Sequence, residues 1–245
     1  MTNQPDNQRT FALGKPAEST DFILERRYRL VRRHAPTMGG TLLDYGCGNG
    51  SQTLRFQEDF DTIIGADVVP EHIEAFEAGQ PPATVHPVLY DGDRLPVEDQ
   101  SVDAVVSFEV LEHVTDEQVS LAEIHRVIRP GGWVAMTVPN RWWIFETHGA
   151  DLPLLPWNRV PLFSWLPTAL HDRWARARIY RRRQIVTLLE DAGFEVTTAR
   201  YVTAPLDVLR WKGLRDWLRS TLFKADLTSI PFQATAILVV ARRRP

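Results

Sequence analysis

Cysteine is almost missing from this chain. Cys47 is the sole thiol in 245 residues, so no disulfide can close within it, which fits a reducing compartment. No stretch is long and apolar enough to span a bilayer. The opening "MTNQPDNQRT" lacks the apolar core of a secretory leader. An excess of positive charge is also missing: 28 Lys and Arg against 31 Asp and Glu give a net charge of -3, and no nucleic-acid partner is expected. Internal repeats and low-complexity tracts are absent. A cytoplasmic protein is the expectation from these absences.

What is present is ordinary for a globular chain, with 44% hydrophobic and 24% charged residues, enough for one large domain. One composition shift stands out. Seven of the eight tryptophans (Trp142, Trp143, Trp157, Trp165, Trp174, Trp211, Trp217) follow residue 140. The first part reads as regular α/β and the later part as that core with aromatic insertions.

Residues 1–18 read as a loose arm. A helix is expected from about Ser19, capped by Ser19 or Thr20, crowded with Arg26, Arg27, Arg29, Arg32 and Arg33, and stopped by Pro36. Strands and helices then alternate. "TLLDY", "TIIGAD", "TVHPVLYD", "VDAVVSFE" and "WVAMTVP" read as strands, the third weakened by Pro87. Helices are expected at about Gly50–Glu58, at "PEHIEAFEAG" and at "DEQVSLAEIHRVIRPGG". After Pro139 the alternation pauses, then resumes with the helix "RRRQIVTLLEDAGF" and the strands "EVTTARYV" and "ATAILVVAR". Such alternation predicts an α/β fold: a Rossmann-like, seven-stranded, mainly parallel sheet with helices on both faces. Segments 140–178 and 204–230 are insertions after its fifth and sixth strands. The expected organisation is a single domain over 1–245: arm and helix at 1–37, a core at 38–139, an insertion at 140–178, and a C-terminal part at 179–245.

The stretch "LLDYGCGNG" poses the chemical question. Ligands of open parallel sheets sit beyond the carboxyl ends of the strands, and this glycine turn lies at such an end. Gly46, Gly48 and Gly50 permit positive φ and a close backbone approach. The dinucleotide fingerprint is G-x-G-x-x-G/A, but here the third glycine comes one residue early. Asp44, just before the turn, would repel a pyrophosphate and favour a cationic or amine-bearing ligand.

With that turn, further pieces follow in order: Asp67 ending the second strand, "YDGDRLPVEDQSVD" after the third, "FEVLEHV" after the fourth, and "HRVIRPGG" before the fifth. Together they resemble the class I S-adenosylmethionine-dependent methyltransferases, in the small-molecule and ubiquinone-biosynthesis-like branch, over about residues 40–140 and again over 178–203. The resemblance implies S-adenosyl-L-methionine as cofactor. It implies donor contacts from Asp44, Gly46, Cys47, Gly48, Asp67, Val68, Asp91, Gly92, Phe108 and Glu109. Asp67 would take both ribose hydroxyls, Asp91 the adenine amino group, and Phe108 or Glu109 the pocket floor. Each residue also has a plainer reading. Asp44 and Asp91 could shape turns, Asp67 could cap the helix at Pro70, and Cys47 is a small residue fitted to its turn.

Methyl transfer needs the nucleophile, methyl carbon and sulfur in line. Positioning contributes on the order of 7–11 kcal/mol in the best intramolecular cases. A hydroxyl acceptor also profits from a general base, worth roughly 10²–10⁴-fold. His113 and His148 are the candidates; His171 reads as a surface or structural residue. Glu109, Glu112 and His113 form an E-x-x-E-H set resembling a divalent-metal site of ubiquinone O-methyltransferases, but these letters recur across the wider family and no metal is assigned.

Trp142, Trp143, Phe145, Trp157, Phe163 and Trp165 in the first insertion could wall an acceptor pocket or form a second small core. "LDVLRWKGLRDWLRSTLFK" reads as a basic amphipathic helix that either packs on the domain or, through 206–224, touches an anionic membrane surface. The arginine runs 26–33 and 173–183 read as solvated faces or as additions to that surface. The sequence therefore predicts methyl transfer to a small-molecule or lipid-like acceptor, at oxygen before carbon, in a protein that is cytoplasmic or peripheral to the membrane. Rival readings are a non-catalytic donor-binding scaffold and an NAD-dependent oxidoreductase. Oligomeric state is left open.

Overall fold

The computed structural model describes residues 20–145, 150–152, 155–157, 161–204, 206 and 211–244. The expected arm at 1–18 lies outside them. Among the described residues the strands are β1 Thr41–Tyr45, β2 Thr62–Asp67, β3 Val85–Leu89, β4 Val102–Phe108, β5 Ile128–Pro139, β6 Ala150–Leu152, β7 Leu155–Trp157, β8 Phe194–Thr203, β9 Leu227–Thr228 and β10 Ala234–Arg243. The α-helices among the described residues are α1 Asp21–His34, α2 Pro70–Ala78, α3 Glu117–Val127, α4 Thr168–Trp174, α5 Arg182–Asp191 and α6 Lys212–Thr221.

One sheet runs β3-β2-β1-β4-β5-β10-β8-β9, and β6 and β7 form a separate two-stranded ribbon. Strands β1 to β5 pair in parallel. β10 lies antiparallel between β5 and β8. All seven expected strands are present. The eighth in the sheet, β9, pairs Leu227 and Thr228 with the end of β8; two residues are too few for alternation to reveal it. Pro87 is tolerated because β3 is an edge strand with one side unpaired.

Successive residues of the central strands enter opposite cores, as the pleat requires. Leu42, Ala104, Val106, Trp133 and Ala135 join one cluster with Leu30 and Val31 of α1 and Ile73 and Phe76 of α2. Leu43, Val105, Val134 and Met136 join the other with Leu121 and Ile124 of α3 and Ile185 and Leu189 of α5. The sheet is thus wound on both faces. Local chemistry sets the helix limits. Pro70 occupies the first turn of α2, which ends at Gly79. Asp116 caps α3, its side chain accepting from the Gln118 and Val119 amides.

Two helix limits differ from expectation. Residues 50–58 form only a short 3₁₀ turn, Thr53–Phe56. Gly50 has φ +79°, outside the helical region, and Thr53 is held by a 2.6 Å hydrogen bond to Asp44 Oδ2. α3 ends at Val127 rather than at Pro130, because Ile128 already pairs with Val102 of β4.

Strand order reverses between β1 and β4, which makes a crevice at the carboxyl edge of the sheet. Phe76 fixes one wall: its ring fills the space a Cβ would need at Gly50, and it is 1% exposed. Replacing Phe76→Ala is expected to cost about 3–5 kcal/mol, read as a lower urea midpoint at unchanged m-value. Retention of the wild-type midpoint would show that this contact does not hold the turn.

Candidate functional site

The glycine turn after β1 is the centre of the crevice. The Gly46 and Cys47 amides both donate to Ala66 O on β2, at 2.8 and 3.0 Å. The Gly48 amide donates to Asp67 Oδ2 at 2.8 Å, the Gly50 amide to Cys47 O at 3.1 Å, and the Ser51 amide to Asn49 Oδ1 at 3.2 Å. Five N–H groups that would cradle a phosphate in a dinucleotide site are therefore spent on the protein itself. Gly46 has φ +80°, and a Cβ there would run into the Val110 side chain on the loop after β4.

Carboxylates gather where those amides are lost. Asp44 is 1% exposed. Burial pushes its pKa up to about 7; the Thr53 hydroxyl pulls down, nearby Asp67 pushes up, and Arg27 pulls down. Asp67 ends β2. Besides Gly48, it accepts from the Val69 amide at 3.0 Å and faces His72 Nδ1 at 3.1 Å through Oδ1. A carboxylate has about four acceptor sites, so Asp67 keeps acceptor capacity beside its two amide partners. Asp67 does not cap α2, whose N-cap residue is Val69 with no side-chain bond. Cys47 is buried, and burial, ahead of Asp44 and Asp67, pushes its thiol pKa far up. It is a packing residue of the turn rather than a nucleophile.

In the loops that follow β2 and β3, Val68 and Gly92 meet: Val68 Cγ1 is 3.7 Å from the point a Gly92 Cβ would occupy. Asp91 is exposed, and its Oδ1 accepts from the Asp93 and Arg94 amides at 3.0 and 3.3 Å. Those backbone bonds, Asp93 first, lower its pKa. It therefore shapes its own turn. Beyond β4, Glu109 takes φ +59°, a costly conformation for a side-chain-bearing residue. Thr137 Oγ1 donates to its Oε1 at 2.8 Å, and Arg27 lies 3.8 Å from that oxygen. The Arg27 guanidinium also stands 5.4 Å from the centroid of Phe108, whose ring stacks on Phe56 at 6.5 Å. Burial lowers the Arg27 pKa, against the pull of Glu109, Glu112 and Asp44.

Arg27, Thr53 and Thr137 are site residues that the sequence reading missed. Arg27 carried a signal: it falls three residues after Leu24 and four before Val31, on the buried stripe of α1. Arg26 is also buried, so the run 26–33 is not simply a solvated face.

The base candidates separate. His113 is half-buried on the loop after β4, its amide bonded to Val110 O. His148 lies outside the described residues. His171 is fully buried, 5.1 Å from the Phe163 ring, so it is structural and not on the surface. Among the described residues no three His, Cys, Asp or Glu side chains come together as metal ligands, so Glu109, Glu112 and His113 do not form a ready set. The insertion's aromatics divide. Phe163 packs with Ala175, Leu166 and Trp174, and Trp143 with Ala204, Leu206 and Phe145, while Trp142 and Trp165 both meet Phe232 at 5.7 Å. Of Trp157 only the backbone is described.

Residues 43–136 match the methyltransferase domain family. A protein of Mycolicibacterium smegmatis, named as an S-adenosylmethionine-dependent methyltransferase, is 32% identical over 201 residues, covering 78% of this chain and 69% of its own. The chain belongs to the class I S-adenosylmethionine-dependent methyltransferases. S-adenosyl-L-methionine is the cofactor of this methyltransferase. A ubiquinone biosynthesis O-methyltransferase of Methylobacterium sp. is 30% identical over 204 residues, covering 78% of this chain and 74% of its own. An S-adenosylmethionine-dependent methyltransferase structure from Mesorhizobium loti shares the fold, with a TM-score of 0.63 at 19% identity, covering 90% of this chain and all of that one. No helix among the described residues is long and apolar enough to cross a membrane.

The crevice suits the cofactor. Methionine's ammonium and the sulfonium are cations, the ribose brings hydroxyl donors, and Asp44 and Asp67 are the acceptors beside a turn whose Gly46, Cys47, Gly48 and Gly50 amides are already bonded within the protein. A carboxyl held near pKa 7 in the folded state and near 4 in the unfolded one binds its proton more tightly when folded. Stability therefore falls as pH rises from about 4 through about 7. Asp44→Asn is expected to flatten that part of the decline in melting temperature, measured by calorimetry from pH 5 to 8. An unchanged slope would place the buried proton elsewhere.

Proposed function

We propose that the methyltransferase moves the methyl group to a hydroxyl of a small or lipid-like acceptor. The observation that carries the reading is the amide-depleted, carboxylate-lined turn, with the half-buried His113 on the adjoining loop. Its 30% identity to a ubiquinone biosynthesis O-methyltransferase supports oxygen as the acceptor atom. Asp44, Gly46, Cys47, Gly48, Asp67, Val68, Asp91, Gly92, Phe108 and Glu109 hold the donor. Asp67 takes one ribose hydroxyl, Arg27 fixes Glu109 and Phe108 from above, and the bound cofactor supplies an activated methyl group. His113 removes the acceptor proton. Residues 38–139 serve the donor, and the insertions 140–178 and 204–230 frame the acceptor, all in one domain.

The test is transfer of radiolabelled methyl groups to a panel of phenols, catechols and hydroquinones, with product masses recorded. His113→Ala is expected to lower kcat by roughly 10²–10⁴-fold while binding of S-adenosylhomocysteine is kept. Unlabelled hydroxyl acceptors beside labelled carbon or nitrogen acceptors would overturn the oxygen assignment, and an unchanged kcat would overturn the role of His113.

A lipid-like acceptor is favoured by α6. Leu218 is the contact it offers to the cluster of Trp143, Ala204 and Leu206. Trp211 and Trp217 are 79% and 56% exposed, and Leu214 and Leu222 are exposed beside them. These apolar positions recur at three- and four-residue spacing, and Lys212, Arg215 and Arg219 occupy the other side. A surface-lying helix on anionic lipid has this division. Trp217→Ser is expected to reduce cosedimentation with phosphatidylglycerol vesicles several-fold, with little loss of stability. Equal cosedimentation of variant and wild type would show that the face does not meet lipid.

A further inference from the structure

The first insertion leaves the core after β5 and returns to it at residues 178–180. Its two ends are tied together: the Tyr180 amide donates to Pro139 O at 3.0 Å, and the Arg141 amide to Tyr180 O at 3.0 Å. The returning segment also takes up the carbonyls of the loop after β4, which closing the neck does not require. The Tyr180 hydroxyl donates to Leu111 O at 3.2 Å, and the Arg178 amide to Glu112 O at 3.1 Å. Arg178 Nη1 donates to Val114 O, and its Nη2 to Thr115 O at 3.0 Å. His113 stands in the middle of this set.

Arginine chemistry suits the task. The guanidinium is a planar fork of fixed donors, so bonds to two successive carbonyls set the orientation of a loop as well as its distance. The Arg178 side chain is 20% exposed, and its Nε lies 3.6 Å from Glu117 Oε2 in the first turn of α3. Charge-assisted hydrogen bonds are the stronger kind. Arg178 thus departs from the solvated face expected of the run 173–183. On its other side the same loop meets the donor turn. Val110 fills the space beside Gly46, and the His113 amide donates to Val110 O at 2.9 Å. The loop is held between the donor turn and the neck of the insertion.

We propose that Arg178, assisted by Tyr180, is a positioning residue: it sets the place of His113 against the donor turn and ties that place to the insertion that frames the acceptor. The proposal rests on the reading of His113 as the base. Arg178 meets no reacting atom in this role. It acts through the backbone of residues 111–115, from which the imidazole projects.

The test uses the full chain with S-adenosylhomocysteine bound and four variants: Arg178→Gln, Tyr180→Phe, His113→Ala and the control Arg183→Gln, which removes an exposed arginine of α5. Histidine Cε1–H resonances are followed by NMR through a pH titration, and the His113 signal is the one missing from His113→Ala. This arm needs no acceptor. Arg178→Gln is expected to shift the His113 resonance and its titration midpoint, with the other histidine signals and S-adenosylhomocysteine affinity as in the wild type. Tyr180→Phe is expected to shift it less, and Arg183→Gln not at all. An unmoved His113 signal in Arg178→Gln overturns the proposal. If all histidine signals of Arg178→Gln move together, Tyr180→Phe decides in the same way. With S-adenosylmethionine and catechol, Arg178→Gln is expected to lower kcat roughly 10–100-fold at unchanged KM for the donor, and to add no further loss to His113→Ala. Losses that multiply in the double variant overturn the positioning role while leaving the base in place. Full kcat in His113→Ala removes the base reading, and this proposal with it.

Discussion

The site depends on the way the bend after β1 uses its own amides. Gly46 and Cys47 both give their N–H groups to Ala66 O on β2, and Gly48 gives its own to Asp67. A buried bend must satisfy its donors, and this one bonds the amides of Gly46, Cys47, Gly48 and Gly50 within the protein, which takes away most of the feature that makes similar glycine-rich turns bind phosphate. Asp67 and Asp44 then set the sign of the crevice. The turn, β2 and the loop after β4 are locked together, since Val110 occupies the space that a side chain at Gly46 would need. Ligand preference and packing are thus decided by the same few atoms.

Charge is managed by pairing across elements rather than by exposure. Arg27, from a helix outside the sheet core, answers Glu109, and Thr137 of β5 holds the same carboxylate from the other side. This clamp offsets the cost of the positive φ at Glu109. The Asp44 carboxyl is handled differently: it has a hydroxyl partner in Thr53 and a proton affinity raised by burial.

Much of this was legible in the residues. The strands of the core announce themselves through apolar runs bounded by Gly, Pro and Asp, and the order of the motifs along the chain identified the fold and the cofactor. What could not be read was tertiary. Nothing local marks Thr53 as the partner of Asp44, and its pull replaces an expected helix with a 3₁₀ turn. Arg27 was hidden among arginines that do face water, although its place on the stripe of Leu24 and Val31 was a clue. His171 is polar in sequence yet fully buried, because Phe163 folds back on it. The aromatic insertion reads as one wall but divides into three groups of contacts, since each ring finds its partner in a different segment, among them Phe232, which is distant in sequence.

The two margins of the main sheet have a consequence for self-association. At one margin stands β3, whose Pro87 cannot donate a hydrogen bond. At the other stands β9, only two residues long, shielding the end of β8. Among the described residues β9 covers only Tyr201 and Val202 of β8, and no strand pairs with the outer edge of Phe194–Arg200. The two margins therefore differ: Pro87 breaks the donor ladder of β3, whereas β8 offers an extended strand edge that its twist and its neighbours have to guard.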